Sequence, residues 1–377
     1  MVNNDFFFDS PSEQSKIKAR IVTSYFSAWS KVMCHNWPSS TEIGYVDLFS
    51  GPGVYQDGSE SVPLLLVKEV LNNSELLTRM WFLFNDQSEN NINDLKKYIK
   101  NVDVCDILDK RIQYSTKTID EKFASDIRIN AQGPILSFVD PFGYKGLTID
   151  LISKLIKNNG SDCIFFFNYN RINMALSSNT KFDEYLGSIF GATRVSSLKT
   201  ELKGLTAEKR EPIVLNALIT ALKDNNANYV LPFKFYRTDM VRTSHFIIFV
   251  SKHKRGCSIM KQIMYANSAK DADGVASFEL HDLRNFGGEY EQLSFFNRPL
   301  DSLRNEIYTD YKGKTVRVKE ICEKYDTDIL NHYVSRNVKD ALIRMEEAGQ
   351  IVVENGRKIK YRNGKLTMPD NAILKII

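Results

Sequence analysis

A chain of 377 residues, 43% hydrophobic and 25% charged, has ample material for a core, and its length favours two domains or one with an appendage. No apolar run approaches the roughly 20 residues of a membrane span, so no membrane partner is expected. The formal net charge of +4 is unevenly divided: from Lys312 onward 14 Lys and Arg face 9 Asp and Glu, a net of +5, leaving −1 for the rest. A basic tail points to a polyanionic partner and says nothing of fold.

The opening MVNNDFFFDSPSEQ is acidic and lacks a basic leader segment, so no signal peptide is expected and the cytoplasm is the expected compartment. Cys34, Cys105, Cys163, Cys257 and Cys322 lie far apart, with no C-x-x-C pair among them. Neither a zinc site nor a disulfide framework is expected, and no metal is assigned. In Gln14–Asn36, Ile17, Ile21, Tyr25, Trp29 and Met33 recur every four residues, one face of a helix that either covers a sheet or closes over a cofactor. Tyr45–Leu48 reads as a buried strand running into Gly51-Pro52-Gly53, with Asp47 near its end.

Val62–Leu71 reads as a crossover helix, Met80–Phe84 as a strand ending at Asn85-Asp86, and Ser88–Lys100 as a polar helix. Arg111–Ser115 is a third strand, Lys117–Asn130 a helix, and Pro134–Val139 a fourth strand ending in Asp140-Pro141-Phe142-Gly143. Ile149–Lys157 is the next helix and Asp162–Asn168 a fifth strand, and this alternation predicts a parallel sheet. Tyr169–Lys203 has no clear period and reads as a functional insertion. Leu205–Lys223 is a helix, Tyr229–Arg237 with Ser244–Ser251 a hairpin, Gly256–Tyr265 a helix, and Asp271–Asn297 a polar connection.

In the tail, Val316–Tyr325 and Val334–Ala348 have helical spacing, and Ile351–Val353 with Ile359–Tyr361 flank the turn signal Asn355-Gly356. Two helices and a basic hairpin are the plan of a winged helix, with Arg357, Lys358, Lys360 and Arg362 on phosphates. Protein docking is the other use of that plan. The expected domains are a helical cap over 1–40, an α/β doubly wound Rossmann-like sheet over 41–311 with its insertion about 169–203, and a winged helix over 312–377.

Glycines separated by one residue let backbone amides approach a ligand, at the sheet edge where such folds bind one. The acid before them resembles the arrangement of class I S-adenosylmethionine (SAM) methyltransferases, although Tyr55 stands where a third glycine often falls. That resemblance assigns Asp47, Gly51 and Gly53 to the amino acid end of SAM, with Phe49 among the cofactor-binding residues. Asp86 suits the ribose diol, since one carboxylate accepts from two hydroxyls; a helix cap is its alternative role. Asp140, Pro141 and Phe142 occupy the position of the D/N-P-P-Y/F signature of methyltransferases that modify exocyclic amines in DNA. A carboxylate and the proline carbonyl there accept hydrogens from the delocalised nitrogen, and an aromatic stacks on the extruded base. Phe142 replaces the second proline and Gly143 the aromatic, so a tight turn in which Asp140 caps an amide is the alternative.

Asp47–Gly58, Phe84-Asn85-Asp86, Ser137–Gly146, Ser244–Met260 and the tail through Pro369-Asp370-Asn371 together resemble the bacterial three-Cys-motif partner family. The resemblance implies a methyltransferase-like fold and a neighbouring protein with a three-cysteine, radical-SAM-like motif. The resulting expectation is a SAM-dependent methyltransferase acting on a nucleic acid at an amine, in a bacterial accessory or defence locus. The alternative is a non-catalytic nucleic-acid-binding or docking partner of that neighbour. A magnesium nuclease using Asp47, Asp86 and Asp140 is less suited, since separate strand ends spread the carboxylates.

Overall fold

The computed structural model describes residues 12–119, 123, 133–141, 146–177, 182–236, 243–270, 273–280, 300–355 and 366–377. Contacts divide the chain into two units, Met1–Gly256 and Cys257–Ile377.

The first unit is built on seven strands: β1 (Ile43–Asp47), β2 (Met80–Asn85), β3 (Ile112–Ser115), β4 (Ile135–Val139), β5 (Asp162–Phe167), β6 (Tyr229–Tyr236) and β7 (Thr243–Ser251). Their spatial order is β3-β2-β1-β4-β5-β7-β6. The first five are parallel and β7 runs antiparallel between β5 and β6. This is the α/β, doubly wound sheet with a terminal hairpin that the strand–helix alternation predicts. β1 and β4 are buried along their whole length, as an apolar strand covered on both faces must be.

Alternate residues of β1 face opposite layers. Tyr45 meets Phe26 of α1 (Glu13–Asn36) edge-on, with ring centroids 5.8 Å apart, while Val46 joins the cluster containing Ile152, Leu186, Leu198 and Leu218. Burying an aliphatic or aromatic side chain of α1 stabilises the unit by roughly 1.5–3 kcal/mol each. Trp29 adds a bond from its Nε1 to Gly160 O at 2.9 Å.

The 169–203 stretch is not an aperiodic insertion. It holds three helices, Tyr169–Ser177, Asp183–Phe190 and Ala192–Glu201, whose apolar residues enter the same core. Each is at most ten residues long, and Gly191 at φ 88° breaks the chain between the last two. No window of the length that shows a helical period survives such breaks. The expected Lys117–Asn130 helix and Asp271–Asn297 connection fall largely outside the described residues.

The second unit contains the short strand β8 (Glu279–Leu280), the helix Leu300–Tyr311, β9 (Thr315–Arg317), the helices Val318–Thr327 and Ser335–Glu347, β10 (Ile351–Asn355) and β11 (Ile373–Ile376). β11 pairs antiparallel with both β10 and β9. Val316, expected in a helix, is a strand residue opposite Leu374. The expected hairpin partner Ile359–Tyr361 lies outside the described residues. Leu300, Leu303 and Ile307 pack with Ile321, Leu342 and Leu374, so this unit begins well before the expected boundary at residue 312.

Lys261, fully buried, donates to Tyr325 O at 2.5 Å, Asp328 O at 2.7 Å and Asn331 Oδ1 at 3.1 Å. Those carbonyls are at and just beyond the end of the Val318–Thr327 helix, where a cation satisfies groups the helix leaves unpaired. Lys261→Met is expected to lower the stability of the second unit by roughly 1–3 kcal/mol. Urea denaturation read through that unit's amide hydrogen exchange checks it; unchanged protection there would refute the capping role.

Candidate active site

Because β1, β2, β4 and β5 are parallel, their carboxyl ends fall on one edge. Register pairs Asp47 with both Phe84 and Phe138, so the chain after β1 turns between the ends of β2 and β4. Gly51 and Gly53 take φ of 66° and 92°, a left-handed backbone that favours glycine. At Gly53 a Cβ would come within 2.8 Å of Leu95 Cδ1.

Asp86 and Asn85 hold this turn. Asp86 Oδ2 accepts from Gly51 N at 3.0 Å, and its Oδ1 accepts from Ser88 N at 2.8 Å and Asn91 Nδ2 at 3.1 Å. Asn85 donates to Leu48 O at 3.2 Å, and its backbone carbonyl accepts from Ser50 N at 2.9 Å. Asp86 therefore supports the glycine turn and the start of the helix Glu89–Lys100, and it does not line the cleft described next.

A cleft of about 1180 Å³ opens at the edge. Its floor is the turn after β1, including Asp47, Phe49, Gly51 and Gly53. One wall is Asp140 and Pro141 after β4; the facing wall is the polar side of α1, with Lys16, Lys18, Arg20 and Thr23. Phe142 lies outside the described residues, as do the wing residues Arg357, Lys358, Lys360 and Arg362. The apolar stripe of α1 is buried while its next face lines the cleft, so the helix both covers the sheet and bounds the site.

Asp47 is 1% exposed; its Oδ1 accepts from Phe49 N at 3.1 Å and its Oδ2 from Tyr45 Oη at 3.4 Å. Burial pushes its carboxyl up to about 8, with the charges of Asp140 and Asp86 acting the same way. Ser50 is 5% exposed and lines the cleft, yet its hydroxyl has no hydrogen-bond partner. Ser61, just ahead of the helix Val62–Leu71 (α2), is in the same condition, with its side chain making no cap bond. A buried hydroxyl without a partner costs roughly 1–3 kcal/mol, so two of them bordering one cleft fit a polar ligand.

Sequence reasoning missed Lys18. Its ammonium is ion-paired with Asp140, both being partly buried, and lies 5.3 Å from the Phe166 ring centroid. No local pattern marks it, since a lysine beside an apolar helix stripe is commonplace. His245 stacks on Phe235 at 4.6 Å and 16° and meets Phe166 at 4.3 Å. Burial, helped by the Lys18 charge, pushes its imidazole down to about 3, so the neutral ring serves as packing. Among the described residues, no group of three His, Cys, Asp or Glu side chains is placed to hold a metal ion, and no helix is long and apolar enough to cross a membrane.

No protein-family profile matches the chain, and no curated protein matches it. Solved structures similar to it include the bifunctional kinase–methyltransferase WbdD, at 12% identity and a TM-score of 0.37 over 67% of this chain and 43% of WbdD. The match therefore spans less than half of that protein. The methyltransferase domain of bacterial CtHen1 is similar at 10% identity and a TM-score of 0.32, over 63% of this chain and all of that domain. The N-terminal domain of human METTL16, solved in complex with S-adenosylhomocysteine (SAH), is similar at 12% identity and a TM-score of 0.28, over 61% and 69% of the two chains. Scores this low establish no shared activity.

Between its unfolded value and about 8, native Asp47 holds a proton that the unfolded chain has released, so this group's contribution to stability falls as pH rises through that window. Asp47→Asn keeps the shape and cannot ionise. The stability of the variant relative to wild type is expected to rise between pH 5 and pH 7 by up to about 1.4 kcal/mol per unit. Chemical denaturation at several pH values measures it, and a difference independent of pH would show that Asp47 is ionised in the fold.

Proposed function

We propose that the chain is a SAM-dependent methyltransferase that modifies a nitrogen of a nucleic acid. The observation that carries this reading is the convergence, in one cleft at the carboxyl edge of the sheet, of the glycine turn, the unpartnered Ser50 hydroxyl and the Asp140–Pro141 pair. When bound, SAM supplies an electrophilic methyl group on a sulfonium. Gly51 and Gly53 allow close approach of its amino acid end, beside Asp47 and Phe49 on the cleft floor. Ser50 and Ser61 offer hydroxyls to its polar groups. Asp86 acts on that pocket through Gly51 N, with the ribose contact left to whatever its carboxylate accepts beyond three donors.

Asp140 and the Pro141 carbonyl accept hydrogens from the attacking amine and so aim its lone pair. Asp140 would also take the proton that the nitrogen gives up on methylation and pass it to water. Lys18 holds that carboxylate before the amine arrives. Phe142 is proposed as a stacking partner on sequence position alone.

In the second unit, the succession helix, strand, helix, helix, strand, strand, with β11 between β10 and β9, supports a winged helix. We assign Arg357, Lys358, Lys360 and Arg362 to phosphate contacts there. The resemblance to three-Cys-motif partners supports a bacterial accessory or defence setting and a radical-SAM-like neighbour. A second reading, a docking partner without chemistry, draws on Asp86 and Asp140 both being engaged by the protein's own groups.

SAM or SAH is expected to bind with micromolar affinity, about −8 kcal/mol. Asp140→Ala is expected to leave that affinity within about twofold while abolishing tritiated methyl incorporation into mixed DNA and RNA; a large effect on binding is not expected because its partner is the amine. Absence of calorimetric heat and of thermal shift at millimolar SAM would favour the docking reading. Equal incorporation by wild type and variant would leave Asp140 a turn residue.

A further inference from the structure

Resting on the methyltransferase reading, we propose that Arg20 and Arg171 form a phosphate-binding lip at the mouth of this cleft, over which the nucleic acid strand passes. Arg20 lies on the polar side of α1, and Arg171 in the first turn of the helix Tyr169–Ser177 that follows β5. Both line the cleft, both are exposed, and among the described residues neither guanidinium has an acidic partner.

The charge on the described cleft lining supports the assignment. Its three acids are each spoken for: Asp140 is paired with Lys18, Glu60 with Lys68, and Asp47 is held largely protonated by burial. Of the four cations, Lys18 is taken by Asp140 and Lys16 lies 3.2 Å from Glu13, which leaves the two arginines uncompensated. The amide of Arg171 already donates to Asn168 Oδ1 at 3.2 Å, so the side chain and not the helix end is the free donor. A guanidinium matches phosphate oxygens in a two-pronged geometry, and a cleft of one sign gathers a polyanion from solution. Phosphate contacts position a strand without reading its sequence, so they place a base over Asp140 whatever its neighbours.

The experiment is fluorescence anisotropy of the full chain on labelled single-stranded RNA and DNA across a salt series, with calorimetric SAM titration on the same samples. Arg20→Gln with Arg171→Gln is expected to weaken strand binding about tenfold, alike for unrelated sequences. It is expected to flatten the dependence of log affinity on log salt by about 1.4, since each single-strand contact contributes about 0.7. SAM affinity is expected to be unchanged, and Lys31→Gln, on the same helix but outside the cleft lining, is expected to bind strands as wild type does. Wild-type affinity and salt slope in the double variant, with methyl transfer intact, would overturn the lip while leaving the methyltransferase reading standing. A wild-type chain that titrates SAM but binds no strand would overturn the lip and the nucleic acid substrate together. Strand binding lost in the double variant of a protein that shows no SAM heat would uphold the lip and sink the methyl transfer.

Discussion

At the end of β1 the chain leaves a fully buried strand and must turn while its amides are still away from water. An unpaired buried amide costs as much as a lost hydrogen bond, so the turn exists only if something accepts from it. β2 supplies the acceptors: Asp86 Oδ2 for Gly51 N and the Asn85 carbonyl for Ser50 N. The remaining Asp86 oxygen starts the helix after β2. One carboxylate thus ties the glycine turn to the sheet and to the neighbouring helix, and the cleft floor follows from it.

The opposite wall depends on α1. Its apolar stripe docks on the face of the sheet that carries Tyr45 and Phe249, which leaves its polar face over the carboxyl edge. The Lys18–Asp140 pair joins that face to the end of β4 in a partly buried setting. Exposed pairs contribute at most about 1 kcal/mol. This one matters more for what it occupies: the carboxylate that borders the cleft at the end of β4. Beside it, Phe166 meets the tilted ring of His245, which stacks on Phe235 behind the cleft lining, with the imidazole kept neutral by burial.

The second unit has its own core and its own means of ending a helix inside that core. Asp326 accepts from Ser335 N at 2.7 Å and Gln262 Nε2 at 3.0 Å, while Lys261 closes the preceding helix end. Buried polar groups of this kind fix how helices meet because each has only one satisfied arrangement.

Local sequence alone was enough to read the seven strands of the first unit, within a residue or two at their ends, and the helices Val62–Leu71 and Glu89–Lys100 beside them, but not the short helices Ser74–Arg79 and Asp106–Asp109. Continuous apolar runs bounded by Gly, Pro and Asn are local signals, and a parallel sheet buried on both faces demands them. It also marked Asp47, Gly51, Gly53, Asp140 and Pro141, which the tertiary structure gathers in one cleft. The rest depends on contacts between distant parts of the chain. Asp86 was read from its place after β2, but which donors reach it depends on the path of a turn 35 residues earlier. Lys18 meets Asp140 across 122 residues, and Ser50 is left without a partner only because of what surrounds it. The three short helices after β5 carry no period long enough to detect, and they form because the core receives their apolar faces. Strand and turn signals are written in neighbouring residues; hydrogen-bond partners and pKa shifts come from residues far apart in the chain, which no local pattern contains.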